Sequence, residues 1–237
     1  LEDEFDTVAT RIADPFYISD ETKKTLHEVY KYWGGRTTSE LATSYMAPET
    51  LKAMEHNMFT PGNYFYNGVG HVTVDYAKVL KIGYRGIIAE AKAELEKCDF
   101  GDADYATRTK FLEAVIESCG AAVTYAKRYS ALAAKMAAEC GDYRRKAELT
   151  KISQICEKVP ENGAESFYEA CQSFWFVQML LQVESSGHSI SPGRFDQYMY
   201  PYYKADLEAG KISPEFAQEL MDCIWVKLND LNKCRDA

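Results

Sequence analysis

Two histidines stand in glycine-rich turns that lie far apart in the chain. His71 follows Gly68 and Gly70, and His188 is followed directly by Ser189. Glycines beside a polar side chain permit backbone angles that other residues rarely adopt, and they leave room for a ligand. A neutral imidazole both donates and accepts hydrogen bonds, and a serine hydroxyl does the same. These residue types predict one site, assembled from both turns, for a small polar substrate such as a polyol.

Each turn also has a structural interpretation. His71 would then hydrogen-bond across its own turn. Gly187 fits the left-handed cap of the preceding helix, and the Ser189 hydroxyl would hydrogen-bond to backbone groups of the loop. Adjacent Ser and His residues do not indicate a hydrolase, because neighbours rarely face each other and no Gly-x-Ser-x-Gly elbow is present. Glu184 or Asp75 could join the histidines at a metal, but no helical His-x-x-x-His pattern supports it. We therefore expect this chain to bind no metal and no cofactor.

The polar residues that follow the second turn favour structural roles. Arg194 and Asp196, two residues apart, predict an ion pair or a cap at the start of the next helix. Glu184 is interpreted as structural as well. The next segment is rich in tyrosine, and we expect packing with hydroxyls in water. These tyrosines are Tyr198, Tyr200, Tyr202 and Tyr203.

Composition excludes several classes of protein. The chain has 237 residues, of which 46% are hydrophobic, enough for a sizeable core. A net charge of −9 without a basic stripe argues against nucleic acid. The longest apolar run, Phe174–Val183, is too short to span a membrane and contains Gln178 and Gln182. An odd number of cysteines, seven, with no Cys-x-x-Cys pair and no secretory signal favours a reducing cytoplasm.

Hydrophobic periodicity predicts a mainly α-helical chain that forms one unit over residues 1–237. One helix is expected over about 103–140 and another over about 164–184, and the single expected strand is Val72–Val74. Gly83 and Gly86 lie inside a helix that Asp75 can cap, and they predict the close approach of another backbone. Helix starts are also indicated by Ser19 or Asp20, by Pro48, and by Ser213 with Pro214.

The predicted helix over 164–184 is apolar on nearly all sides, notably through Phe174–Val177. Such a helix is normally buried within something large. In an isolated chain of this length we expect an exposed apolar patch over Phe174–Leu181, and hence aggregation or a requirement for a partner.

The two turns resemble those of glycyl radical enzymes of the pyruvate formate lyase-like superfamily. The resemblance rests on residues 66–76 and 184–198, and it extends through the helical framework, including Phe174–Phe176 and Trp225–Lys227. Within the superfamily, the cobalamin-independent glycerol and propane-1,2-diol dehydratases are the most similar subgroup. Choline trimethylamine-lyase is the alternative, and a non-catalytic helical interaction domain is the alternative outside the family. The implied fold is the helical N-terminal part of a ten-stranded β/α barrel.

The resemblance implies a lyase that eliminates water from a small diol by a radical route and forms an aldehyde. His71 is then the expected catalytic proton donor and a substrate ligand, and His188 and Ser189 are the expected ligands of the other hydroxyls. The family implies a glycyl radical installed by a radical-SAM activating enzyme, an anaerobic homodimer, and a cytoplasmic location or a bacterial microcompartment. No nucleic-acid or membrane partner is expected.

This sequence departs from the family pattern in one respect. The radical glycine of the family lies in an Arg-Val-Ala-Gly-Tyr-like loop and its radical cysteine in a Gly-Cys-Val-Glu-like loop, and neither motif occurs here. The chain also begins at Leu1 rather than Met. We therefore expect an N-terminal portion of a longer polypeptide, inactive on its own, in which the barrel mostly lies beyond Ala237.

Overall fold

Helices make up most of the protein, as predicted. The computed structural model describes residues 2–12, 15–60, 70–185, 187 and 189–231, which fall into two compact units. The first unit covers 1–71, 184–189 and 232–237, and the second covers 72–183 and 190–231. The described helices of the first unit are α1 (Asp20–Trp33), α2 (Thr38–Ser44) and α3 (Pro48–Glu55), after a 3₁₀ turn at Glu2–Glu4.

The second unit contains six helices and two short strands among its described residues. In chain order they are β1 (Val72–Thr73), α4 (Tyr76–Leu95), α5 (Tyr105–Glu139), α6 (Tyr143–Lys158), α7 (Phe167–Glu184), β2 (Ile190–Ser191), α8 (Phe195–Glu208) and α9 (Pro214–Asp230).

Polar side chains cap several helices where the sequence predicts a start. Ser19 accepts the backbone N–H of Thr22 at 3.1 Å, so it is Ser19 rather than Asp20 that caps α1. Asp75 caps α4 in the same way, with its Oδ1 accepting the N–H of Lys78 at 3.0 Å. Each cap satisfies one of the N–H groups that have no partner within the first turn of a helix. These caps confirm the predicted boundaries of α1 and α4.

A glycine breaks α4 where another segment of chain crosses it. Gly83 has φ 64° and ψ 176°, a conformation essentially reserved for glycine. The next two amides leave the helix pattern and donate to the crossing segment, Tyr84 to the Pro160 carbonyl at 2.8 Å and Arg85 to the Glu161 carbonyl at 2.9 Å. The predicted close approach is therefore confirmed at Gly83.

The same prediction was wrong at Gly86. A Cβ built there would lie 2.6 Å from the Cβ of Ile82, on the same helix, and the three nearest atoms all belong to Ile82. Gly86 thus makes room for the side chain of Ile82, which lies just before the break at Gly83.

Helix α7 lies between two hydrophobic clusters, which explains why it is apolar all round. On one face Phe174 and Val177 belong to a core shared with α4, α8 and α9. On the other, Phe176 packs with Ala126 of α5 and Cys156 of α6. Phe174 is 1% exposed and Phe176 is 2% exposed. The predicted exposed patch over Phe174–Leu181 was therefore wrong, because helices of this same chain cover both faces.

The cysteines of the second unit differ sharply in environment. Burial raises the pKa of the Cys156 thiol to about 11 and that of Cys171 to about 12, whereas Cys223 is exposed. Because the thiolate is the reactive form, we expect iodoacetamide at pH 8 to label Cys223 while the two buried thiols stay unmodified until the protein unfolds. Peptide mass mapping measures this, and Cys223→Ser is the control. Equal labelling of all three would contradict the burial.

The raised pKa values of these two thiols also predict that the stability of the fold falls at alkaline pH. The folded pKa values of Cys156 and Cys171 lie above the ordinary value of 9.0. Their neutral thiols therefore favour the folded state fully below pH 9, and this contribution is lost as pH rises towards 11 and 12. Urea midpoints measured at pH 8 and pH 10 are expected to fall at the higher pH.

Candidate functional site

The two predicted turns meet at a short parallel strand pair. Strand β1 pairs with β2 in the register Val72 to Ile190 and Thr73 to Ser191. Only Val72–Val74 was predicted as a strand, so β2 is an addition from the structure. Paired strands lie about 4.8 Å apart. Since the strands are parallel, the two segments that lead into them arrive at the same end of the pair.

His71 and Ser189 occupy equivalent positions at that end. His71 directly precedes Val72 and Ser189 directly precedes Ile190, the two partners in the register. Both residues are exposed. Both also belong to the first unit, although the strands that follow them belong to the second. The register therefore brings together a residue from each turn, at a position that solvent and a small molecule can reach.

Both residues also hold an unusual backbone conformation. His71 has φ 55° and Ser189 has φ 56°, and the one other non-glycine residue with positive φ in the described part of the chain is Asn57. Such a conformation costs roughly 1–2 kcal/mol for a residue with a side chain. Residues in strained conformations cluster at functional sites, so this pair is compatible with the predicted site, which stays a prediction.

The second turn is only partly described. Gly187 has φ 74°, the left-handed conformation that was predicted, and its carbonyl accepts the N–H of Ser189 at 3.0 Å. Helix α7 ends at Glu184, so the role of Gly187 as its cap stays a prediction. His188, the predicted substrate ligand, lies outside the described residues, as do Ser186 and the segment 61–69 with Gly68.

Buried polar side chains link the strand pair to the core by hydrogen bonds. Gln178, on α7 and only 1% exposed, donates its Nε2 to the carbonyl of Ile190 at 2.9 Å. Its Oε1 accepts the hydroxyl of Tyr76, the first residue of α4 after β1. One amide thus ties both strands to the core.

A second tyrosine completes this support. Tyr198 stacks on Tyr76 with ring centroids 5.5 Å apart and donates its hydroxyl to the Pro192 carbonyl at 2.7 Å. Burial raises the pKa of Tyr76 and of Tyr198, so both remain neutral donors at physiological pH. Tyr198 was predicted to pack, which is confirmed, but its hydroxyl bonds to backbone rather than to water.

Gln178 and Tyr76 are the residues that the sequence analysis missed. Gln178 was considered only as a polar interruption of an apolar run. An amide buried within an apolar helix needs partners for both its donor and its acceptor, and that requirement was the available signal.

The other polar residues that were singled out near the turns lie at the starts of helices. Arg194 occupies the N-cap position of α8, as predicted, but its side chain makes no capping hydrogen bond. Among the described residues, no ion pair joins it to Asp196, so that part of the prediction was wrong. Asp75 is engaged as the cap of α4.

Two further findings bear on what the described part of the chain can bind. No group of three or more His, Cys, Asp or Glu side chains in it is placed to hold a metal ion. None of its helices is both long and apolar enough to cross a membrane.

Comparison with known proteins places the chain in a family. The profile of the pyruvate formate lyase-like family matches residues 1–237. The (2S)-3-sulfopropanediol dehydratase of Klebsiella oxytoca is 38% identical over 229 residues, which cover 95% of this chain and 28% of that protein. The chain thus spans less than a third of the length of this curated relative.

Two solved structures match more strongly. The structure describing 1,2-propanediol dehydration in Roseburia inulinivorans is 66% identical with a TM-score of 0.85, and the match covers 100% of this chain and 28% of that one. The glycerol-bound B12-independent glycerol dehydratase from Clostridium butyricum is 56% identical with a TM-score of 0.82, over 99% of this chain and 30% of that one. Both matches lie in the N-terminal part of glycyl radical enzyme structures. This chain belongs to the pyruvate formate lyase-like family.

Proposed function

We propose that this chain forms the diol-recognition part of a glycyl radical dehydratase whose intact form removes water from glycerol or propane-1,2-diol. The observation that carries the proposal is the parallel register that sets His71 and Ser189 side by side in matching left-handed conformations. It is supported by the 66% and 56% identity to structures concerned with propanediol and glycerol, against 38% to the sulfonated-diol dehydratase.

The proposed roles follow from the chemistry of each side chain. His71 donates a proton to the hydroxyl at C2, so that the C2–O bond breaks with water as the leaving group. Ser189 and His188 hold the remaining hydroxyls by hydrogen bonds and orient the substrate. Removal of a hydrogen atom from C1, and its return to C2 after water has left, is the chemistry that the glycyl radical of the intact enzyme supplies. The C1 hydroxyl releases one proton as the aldehyde forms, which balances the proton that His71 donates. The net reaction converts a 1,2-diol into an aldehyde and water.

The test uses the native full-length protein, activated anaerobically by a radical-SAM activating enzyme. We expect glycerol or propane-1,2-diol to give aldehyde with a kcat/KM at least ~100-fold above those of choline and 3-sulfopropane-1,2-diol, because a site built for hydroxyl groups discriminates strongly. Turnover of choline to trimethylamine would instead assign a cationic substrate to the enzyme in place of the diol. No turnover of any of the four, with the radical detected by electron paramagnetic resonance, would sink the proposal.

Ser189→Gly tests the predicted hydroxyl ligand without disturbing the turn. Glycine adopts φ 56° at no steric cost, so this variant removes the hydroxymethyl side chain while the backbone conformation of the turn stays allowed. Loss of one hydrogen bond of about 1.4 kcal/mol predicts a KM for the diol about tenfold higher, with a smaller change in kcat. Asn57→Gly, at φ 53° in the same unit, is the matched control. An unchanged KM in Ser189→Gly would remove Ser189 from the site.

A further inference from the structure

We infer that Gln178 is a positioning residue for the proposed site, setting the register of the β1–β2 pair and through it the spacing of His71 and Ser189. This inference rests on the proposed function. The action of Gln178 runs through the two strands that the two turns enter.

The contacts of Gln178 are arranged to fix both strands at once. Its Nε2 holds the Ile190 carbonyl of β2 at 2.9 Å, and its Oε1 accepts the hydroxyl of Tyr76, three residues beyond the end of β1. The amide carries a donor on one atom and an acceptor on another, so a single side chain can bind both segments, and asparagine, one carbon shorter, could not reach as far. A single buried side chain therefore links the two strands through the core.

The strand pair has little else to hold its register. Each strand is two residues long, and an isolated pair of this length is not stable by itself. A slip by one residue would move every side chain to the other face. Since His71 and Ser189 each lie one peptide bond from a paired residue, a change in register shifts one relative to the other by about 3.3 Å. That is far more than positioned catalysis tolerates.

The helix that carries Gln178 is itself firmly anchored. Phe174 and Val177, which precede Gln178 along α7, lie in the core cluster, and Leu181 after it packs against that cluster; Gln178 itself is 1% exposed. Tyr198 supports the arrangement by stacking on Tyr76 and bonding the Pro192 carbonyl just after β2. The amide that links the two strands is thus held within the buried core of the second unit.

The experiment compares three variants of the activated full-length protein. Gln178→Met keeps the volume and loses both hydrogen bonds. Ser130→Ala is the matched control, because Ser130 is also buried and bonds a backbone carbonyl, that of Ser153 at 2.8 Å, between α5 and α6. The double variant Tyr76→Phe with Gln178→Met removes the hydroxyl left without its partner and so recovers stability, but it leaves the Ile190 carbonyl unanchored.

We expect Gln178→Met to lower kcat/KM for the diol at least tenfold, mainly through kcat, and to speed amide hydrogen exchange at 72–74 and 189–191 at least tenfold. Ser130→Ala should change neither. The double variant should regain thermal stability without regaining kcat. A return of kcat together with stability, or exchange at the strands no faster than in Ser130→Ala, would overturn the inference.

Failure of the proposed function gives a different result. If His71→Asn leaves turnover intact, the site itself is misassigned, whatever the exchange data show. If His71→Asn is impaired and Gln178→Met is not, the site stands and the positioning role of Gln178 is wrong.

Discussion

Asparagine in place of His71 is expected to lower kcat of the intact enzyme for its diol about 100-fold or more, because general acid catalysis contributes roughly that much. Asparagine suits the test because it tolerates the left-handed conformation at φ 55° better than most residues. It also keeps a hydrogen-bonding side chain while losing the ability to deliver a proton near neutral pH. Steady-state kinetics of aldehyde formation measure the effect.

The control for this substitution is His56→Asn. His56 is an exposed histidine at the end of α3 in the same unit. It should leave both kinetic constants unchanged. A change confined to KM in His71→Asn would leave His71 a binding residue and move the proton donor elsewhere. Unchanged kcat and KM would exclude His71 from the reaction.

The residue types of the two turns predicted one shared site, but the strand register that brings the turns together could not be predicted from local sequence. Glycines beside His71 and His188 are visible in the sequence because they mark conformations closed to most residues. Strand β2 has only two residues, Ile190–Ser191, which is too short for any alternating pattern to develop. Its partner lies more than a hundred positions earlier. The register is a product of the tertiary structure, so the pairing of His71 with Ser189 had no local signal.

Most helices were predictable in place and length, although α2 (Thr38–Ser44) was not predicted, and the surroundings of the helices were not predictable. A long helix was expected over about 103–140, and α5 runs over Tyr105–Glu139. For α7 the all-round apolar pattern correctly indicated deep burial, but it could not say that α5, α6, α8 and α9 supply the cover. Periodicity reports which faces of a helix are apolar, and only packing decides what they meet.

Alanine in place of Gly83 is expected to destabilise the protein by about 4 kcal/mol or more, in the range reserved for severe core lesions. Two costs combine. The ε-region conformation at φ 64° and ψ 176° is essentially closed to residues with a side chain. A Cβ there would also lie 2.6 Å from the Cα of Asn162, and backbone cannot swing aside as a flexible side chain can. Relief requires the crossing segment to move.

Movement of that segment would break several bonds at once. The amides of Tyr84 and Arg85 would lose the Pro160 and Glu161 carbonyls, and the carbonyl of the buried Pro160 would be left without a hydrogen-bond partner. The Glu161 carboxylate would also lose Lys127 and Arg85, each now at 2.7 Å, which hold the pKa of Glu161 below its usual range. Because whole domains are stable by only about 5–15 kcal/mol, such a loss leaves a large unfolded fraction.

Gly120→Ala is the matched control, and we expect it to raise the stability of the protein rather than lower it. Gly120 lies within α5, and a Cβ there meets no atom within 4 Å. Alanine in a helix interior is favoured over glycine by about 0.5–1 kcal/mol, so this variant should be slightly more stable than the parent. Urea unfolding followed by circular dichroism at the helix band compares the two. Equal midpoints for Gly83→Ala and Gly120→Ala would mean that the crossing of 160–162 over α4 does not constrain the fold as described.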